Sequence, residues 1–260
     1  MSTSQWLYLK IGTPGVLAAE SLLRHVIAPF MGERGYLGST DQSTWFFIRY
    51  LDATGLHLRI RIWGQLQTLQ EMDVTLRSAL GHWHAQGKDQ ITYVRRAVYV
   101  PEWVKWGGPD GVRWAEKVFA ASSRFALAVP STYWERRYGL ALLLMRRGVD
   151  MLPPEQRVSF TYNYAWFWSG GDDPIISSMR EVVRHGARRA ADHLVGQMAL
   201  WESSSGEWRS LMECYVQALE DDLSRTDHPG RRLFNHLHLT SNRLGVSPRD
   251  EALLAEALRL

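Results

Sequence analysis

The stretch that most limits how this chain can fold runs from residue 45 to residue 63: WFFIRYL, then Asp52-Ala53-Thr54-Gly55, then LHLRIRIW. Two runs rich in aromatic and β-branched residues, joined by a short Asp/Gly turn, predict a β-hairpin. In the second run the alternation is strict. Leu58, Ile60 and Ile62 fall on one face, and His57, Arg59, Arg61 and Trp63 on the other. The apolar face must be covered, so the hairpin belongs to a sheet with a core behind it. The opposite face carries two guanidinium groups about 7 Å apart along the strand. A solvated face with salt bridges accounts for them. So does a platform for anions or carbonyls, which the imidazole and indole in the same row favour.

The rest of the first hundred residues continues the mixed pattern. WLYLKI at 6–11 predicts a strand, ended by the turn GTPG, and 91–100 predicts another. Residues 17–30 have helical spacing, with Leu17, Leu22, Ile27 and Phe30 as the expected buried members, and 66–86 is also expected to be helical. After Gly107-Gly108-Pro109 the character changes. Helices are expected over 111–128, 132–148, 154–168, 174–201, 208–223, 230–243 and 248–258, with Asp173-Pro174 and Ser247-Pro248 as starts. The fold class is therefore α+β: an N-terminal antiparallel or mixed sheet packed against a mostly helical C-terminal portion. It reads as one unit over 1–260, sheet-rich over 1–108 and helical over 109–260.

Composition excludes several classes. At 260 residues and 45% hydrophobic, the chain is long enough to bury a substantial core. No apolar run approaches the roughly 20 residues of a membrane span. The N-terminus lacks the basic start and apolar stretch of a secretion signal. A single cysteine, Cys214, leaves no disulfide framework and no multi-cysteine zinc site. A soluble cytoplasmic protein is expected. The net charge is only +3, without a dense basic run, so nucleic acid is not an expected partner. Apart from Lys10, Lys88, Lys105 and Lys117, the cations are arginines, whose planar fork suits carboxylates and peptide carbonyls. Most of the twelve tryptophans are expected in the core, and a minority could line a pocket for a flat heteroaromatic or peptide ligand.

Three further stretches could carry chemistry. In YVPEWVKWGG, from Tyr99 to Gly108, Glu102 and Lys105 are three apart, so one turn makes them an ion pair. In NHLHLTSNRLG, residues 235–245, His238 and Asn242 share a helix face, as do His236 and Thr240. A histidine held by an amide can act as general acid or base, and a polar helix face stopped by Gly245 is the plainer reading. In FTYNYAWFW, residues 160–168, Tyr162, Tyr164 and Trp166 belong to a buried helix or supply donors to a cavity. Tyr162 and Tyr164 lie on different faces, so at most one points inward. His82, His84, His185 and His193 lack partners at ligand spacing, and no metal is expected. No phosphate loop, G-x-S-x-G or dinucleotide fingerprint is present, which disfavours kinase, serine-hydrolase and hydride-transfer chemistry.

Taken in order, WFFIRYLDATGLHLRIR, YVPEWVKWGG and HLTSNRLG resemble the C-terminal elimination domain of class I lanthipeptide dehydratases. They are similar also to the stand-alone thiopeptide-type bacteriocin biosynthesis proteins built on that domain. The resemblance covers nearly the whole chain; any one motif is weak, but the ordered set is specific. It implies Arg59 and Arg61 as the family's arginine pair, Glu102 and Lys105 at its Glu-x-x-Arg, and His238 as its functional histidine. Lys105 is a departure, because lysine cannot make arginine's two-pronged contact with a carboxylate. The elimination domain removes glutamate from glutamylated Ser or Thr of a precursor peptide. A second descendant of the fold, the pyridine synthase, joins two dehydroalanines of an azole-rich peptide by a formal aza-[4+2] cycloaddition, with loss of water and leader peptide.

The implied activity is that of a pyridine synthase. A split glutamate-elimination subunit and a non-catalytic leader-binding scaffold are the alternatives. The implied partners are the precursor peptide, as leader and dehydrated azole core, and transiently the dehydratase subunits; no cofactor, metal, nucleic acid or membrane is implied. His57, Trp63, Tyr99, Tyr162, Tyr164, Trp166 and Asn242 are the expected substrate contacts. The arginines and His238 are expected to share one hollow.

Overall fold

The computed structural model describes residues 4–37, 44–87, 91–130, 136–171, 173 and 177–260. The chain forms two compact units, 1–127 and 128–260.

The first unit is built on a four-stranded antiparallel sheet of order β2-β3-β1-β4, from β1 (Ser4–Gly12), β2 (Trp45–Asp52), β3 (Gly55–Gln65) and β4 (Tyr93–Arg96). The expected hairpin is β2–β3, and β1 lies along the other side of β3 from Ser4↔Gln65 to Gly12↔His57. Paired residues point to the same face. Leu58, Ile60 and Ile62 therefore join Leu7, Leu9, Ile11, Trp45 and Phe47 in one apolar layer, all of it buried. That layer packs on α1 (Val16–Leu22) and α3 (Leu66–Ala85). Two cations share this face, Arg49, held by Glu20 at 2.5 Å, and Arg96, held by Asp73 of α3 at 3.2 Å.

The helix expected over 17–30 is interrupted. Between α1 and α2 (Ala28–Gly32) lies a π-helical turn, Leu23–Ile27. Leu22, Ile27 and Phe30 are buried as expected, but Leu17 is 78% exposed. Leu17 and Leu22 are five residues apart in α1 and so lie about 140° apart around its axis; Ala18, Ala19 and Leu22 form the buried stripe, which Leu23, Val26 and Ile27 continue through the π turn. The strand expected over 91–100 is paired only as β4. Beyond Ala97 N–H, which donates to Tyr8 O, the chain leaves the sheet and Tyr99 turns its ring onto Trp6 and Phe46. The short α4 (Trp103–Trp106) and the long α5 (Gly108–Ala128) complete the unit.

The second unit comprises α6 (Arg137–Asp150), α7 (Pro154–Trp168), α8 (Ser177–Ser203), α9 (Glu207–Leu223), α10 (Pro229–Arg243) and α11 (Pro248–Ala257). The starts expected at 132 and 174 lie outside the described residues. Leu140 to Met145 of α6 are buried around the whole helix circumference, so α6 is the core element against which the others pack. The α10–α11 junction is fixed at both sides. Gly245, at φ 73°, adopts the left-handed conformation, and Val246 N–H bonds back to Ser241 O at 2.9 Å. Ser247 then caps α11, its Oγ accepting from Asp250 N–H, with Pro248 at the first helical position. Among the described residues no helix is long and apolar enough to cross a membrane.

Two helices of this unit approach closely at Gly139 of α6. A Cβ there would lie 2.5 Å from Gln197 Cβ and 2.8 Å from the Gln197 carbonyl carbon on α8. Gly139→Ala is expected to lower stability by about 1–3 kcal/mol in urea unfolding, because backbone must move. Gly196→Ala on α8, where nothing stands within 4 Å, is expected to raise it by up to about 1 kcal/mol.

Candidate functional site

In the first unit the register assembles a polar and aromatic row on the sheet face opposite the apolar layer. Its rungs are Trp6–Trp63, Tyr8–Arg61–Phe46, Lys10–Arg59–Ile48 and Gly12–His57–Tyr50. Sequence alone allowed this face to be a solvated strand surface. It is not: His57 is fully buried and Arg61 only 9% exposed, because aromatic rings cover them. Tyr50 and Tyr93 flank His57 at 5.6 and 6.3 Å. His57 Nδ1–H donates to Gly55 O at 3.0 Å, and its Nε2 accepts from Arg59 Nε at 3.2 Å. That pattern requires a neutral ring, and burial lowers its pKa from the ordinary histidine value in agreement. Arg59 is further fixed over the Tyr50 ring at 3.3 Å and beside Asp52 at 3.5 Å. His57 and Asp52 thus hold Arg59 in place.

Arg61 sits in an aromatic cage formed by Tyr8, Tyr99 and Phe46, its guanidinium carbon 4.6, 4.8 and 5.3 Å from their centroids. It hydrogen-bonds with the Tyr8 hydroxyl. Among the described residues no carboxylate pairs with it, and its Nε has no partner. Burial lowers its pKa, but a guanidinium remains charged. A desolvated, unpaired cation is a strong attractor for an oxygen anion or carbonyl.

Beside this cage lies a cavity of about 590 Å³ walled by Trp6, Trp63, Trp103, Pro101 and Val112. Trp6 is the hinge of the wall, meeting Trp63 at 5.4 Å and Tyr99 at 5.0 Å. Trp63 is 41% exposed, with its ring available at the mouth. Glu116 of α5 contributes a carboxyl to the lining and hydrogen-bonds with Tyr99. Burial raises the Glu116 pKa, opposed by Tyr99 and Arg61; burial and the Glu116 charge raise that of Tyr99. Glu102 and Lys105 form the expected ion pair at 3.4 Å on α4, with Glu102 67% exposed.

The second unit holds a separate cluster. His238 of α10 donates Nδ1–H to Glu251 of α11 at 3.0 Å, and the Tyr164 hydroxyl of α7 donates to the other carboxylate oxygen. Trp168, one helical turn beyond Tyr164, stacks on the imidazole at 4.2 Å and 23°. Glu251 and Tyr164 are fully buried, whereas the His238 side chain is 27% exposed. Burial raises the Glu251 pKa and raises Tyr164 well above its ordinary value. The arrangement fixes the imidazole plane and leaves the second ring nitrogen for an external partner. His236, on the inner face with Thr240, is instead locked to Asp222 at 2.7 Å, and Asp222 is also held by Arg232 at 2.5 Å.

Of the expected contacts, His57, Trp63 and Tyr99 join the arginines in the first unit, and Tyr164 joins His238 in the second. Tyr162 turns outward, as its different helical face requires, and Trp166 packs near Gly171. Asn242 is half-buried on α10. Sequence reading missed Tyr8, Asp52, Trp103, Glu116, Trp168 and Glu251. Both glutamates were findable: Glu116 lies between Val112 and Phe119 on the apolar stripe of α5, and Glu251 precedes Leu254 and Ala255 on that of α11. Among the described residues no group of three or more potential ligands could hold a metal ion.

Tyr164→Phe removes one of the two donors to a buried carboxylate. It is expected to lower stability by about 1–3 kcal/mol in urea unfolding. Tyr162→Phe should stay within about 0.5 kcal/mol of the wild type.

The pattern of the family described as lantibiotic biosynthesis dehydratase, C-terminal, matches residues 6–260. No curated protein matches the chain. Solved structures that share its fold include the following three. The tRNA-dependent lantibiotic dehydratase MibB from Microbispora sp. 107891 is 21% identical, with a TM-score of 0.66, over 97% of this chain but only 27% of its own. TsrL is 17% identical, with a TM-score of 0.65, over 99% of this chain and 94% of its own. TbtD, a pyridine synthase from thiomuracin biosynthesis, is 16% identical, with a TM-score of 0.68, over 98% of this chain and 96% of its own. At these identities the likeness carries the fold, and the chain spans about a quarter of the dehydratase. With its pattern matched almost end to end, the chain belongs to the lantibiotic biosynthesis dehydratase C-terminal family.

Proposed function

We propose that this protein is a pyridine synthase, joining two dehydroalanines of an azole-containing precursor peptide by a formal aza-[4+2] cycloaddition, with loss of water and leader peptide. The observation that carries the proposal is the indole-walled cavity of about 590 Å³. Flat, uncharged azole rings stack on indoles and lose little on leaving water. Holding diene and dienophile together there would supply on the order of 7 kcal/mol in favourable geometry. The fold shared with TbtD is consistent with this reading.

Two groups of residues have roles in it. The caged Arg61 guanidinium offers charge to a carbonyl oxygen that becomes more negative as the new bonds form. Arg59, held by His57 and Asp52, keeps the neighbouring rung in place. His238, with Glu251 fixing its ring, serves as a proton-transfer group. The leader is the precursor's handle and adds along an exposed sheet edge or groove, main-chain hydrogen bonds supplying affinity.

Glutamate elimination from glutamylated Ser or Thr is the second reading. It is favoured by the unpaired Arg61 Nε, which would suit a glutamyl carboxylate. Lys105 weighs against it, since its ammonium is engaged with Glu102 and lacks arginine's fork.

The two are separated by mass spectrometry. The purified protein, given a leader-bearing dehydrated azole peptide, should release leader and a macrocycle, and should leave a glutamylated precursor unchanged. Loss of glutamate from the second peptide, with no change in the first, would establish the eliminase instead. Trp103→Ala, at a partly exposed wall position, is expected to raise KM about 3–10-fold with kcat little changed.

A further inference from the structure

We propose that Glu116, positioned by the Tyr99 hydroxyl in the wall of the aromatic cavity, is the acid that gives a proton to a carbonyl oxygen of the bound peptide. The inference rests on the reading of that cavity as the substrate site and adds a catalytic residue to it. Among the described residues that line the cavity, Glu116 is the one carboxyl. It makes no ion pair among them. The two lining cations point to other partners: Arg113 bonds Asp110, and Lys117 lies over the Trp114 ring at 3.7 Å.

The carboxyl is held from the strand side. Tyr99 is wedged between Trp6 and Phe46, at 5.0 and 5.9 Å, so its hydroxyl has a fixed direction toward α5. Tyr99 in turn lies against Arg61, whose charge also reaches Glu116. Glu102 acts on the Tyr99 side, and Arg113 and Lys117 stand at the cavity wall. Burial favours the neutral acid against the pull of Tyr99 and Arg61, and the direction that prevails is upward. Burial keeps Tyr99 a neutral phenol.

A neutral carboxyl in an apolar cavity can do what a surface carboxylate cannot. Its proton passes to the amide oxygen, leaving Glu116 as carboxylate and the amide as an O-protonated cation. The carboxylate then takes the N–H proton, which gives the imidic acid and restores the acid. No proton is gained or lost overall. The same residue serves both directions because burial raises its proton affinity above that of an ordinary carboxylate, so the carboxylate it leaves behind is a ready base.

The test uses the full chain and two readouts. Without substrate, the infrared difference spectrum between wild type and Glu116→Gln should show a protonated-carboxyl band that persists to higher pH than ordinary glutamates allow. A band lost at the ordinary glutamate pH overturns the proposal. With the leader-bearing dehydrated azole peptide, Glu116→Gln should lower kcat by about 10²–10⁴-fold while peptide affinity changes less than about threefold. Tyr99→Phe should lower kcat less and shift the pH profile of kcat/KM. If wild type converts the peptide and Glu116→Gln does so equally, the acid role falls while the functional reading stands. If wild type leaves the peptide untouched, the functional reading falls, and the role of Glu116 in it falls too.

Discussion

The period-two alternation of β3, locked between β1 and β2, is the constraint on which the first unit depends. One set of its side chains builds the apolar layer, and the other builds the row from Trp63 to His57. The two sets cannot be exchanged piecemeal, since a slip of one residue would carry Arg61 into the core and Ile60 into the aromatic cage. The same register puts Tyr8 and Phe46 on either side of Arg61. A desolvated guanidinium is tolerable there because three ring faces meet it.

Much of this was legible in advance. Leu58, Ile60 and Ile62 announce their face by alternation, the Asp52–Gly55 turn announces the hairpin, and Pro248 after Ser247 announces α11. What alternation could not give was the neighbour. Nothing in WLYLKI says that it lies beside β3, and without that pairing Tyr8 has no relation to Arg61. The same gap hid the enclosure of His57, which depends on Tyr50 and Tyr93 arriving from two other strands. The π-helical turn escaped because an extra residue in one turn leaves no mark in composition. The Glu102–Lys105 pair, by contrast, needed only local spacing and is present.

Glu116 and Glu251 show one device used twice. Each is an acid on the apolar stripe of a helix, and each is met by a tyrosine hydroxyl from another element of its own unit. In both, burial opposes ionisation and the hydroxyl moderates it. The difference lies in what stands on the far side. For Glu116 it is open cavity, and for Glu251 it is the imidazole of His238. The first carboxyl borders open space; the second is closed off by a neighbouring side chain.

The junction between α10 and α11 shows how little freedom such a device has. Gly245, the Ser247 cap and Pro248 fix the start of α11, and Glu251 meets His238 from the first turn of that helix. One residue added between cap and carboxylate would swing Glu251 about 100° around the helix axis, away from the imidazole and from Tyr164. The count of residues across this junction behaves as a gear tooth, and the meshing of two helices turns on it.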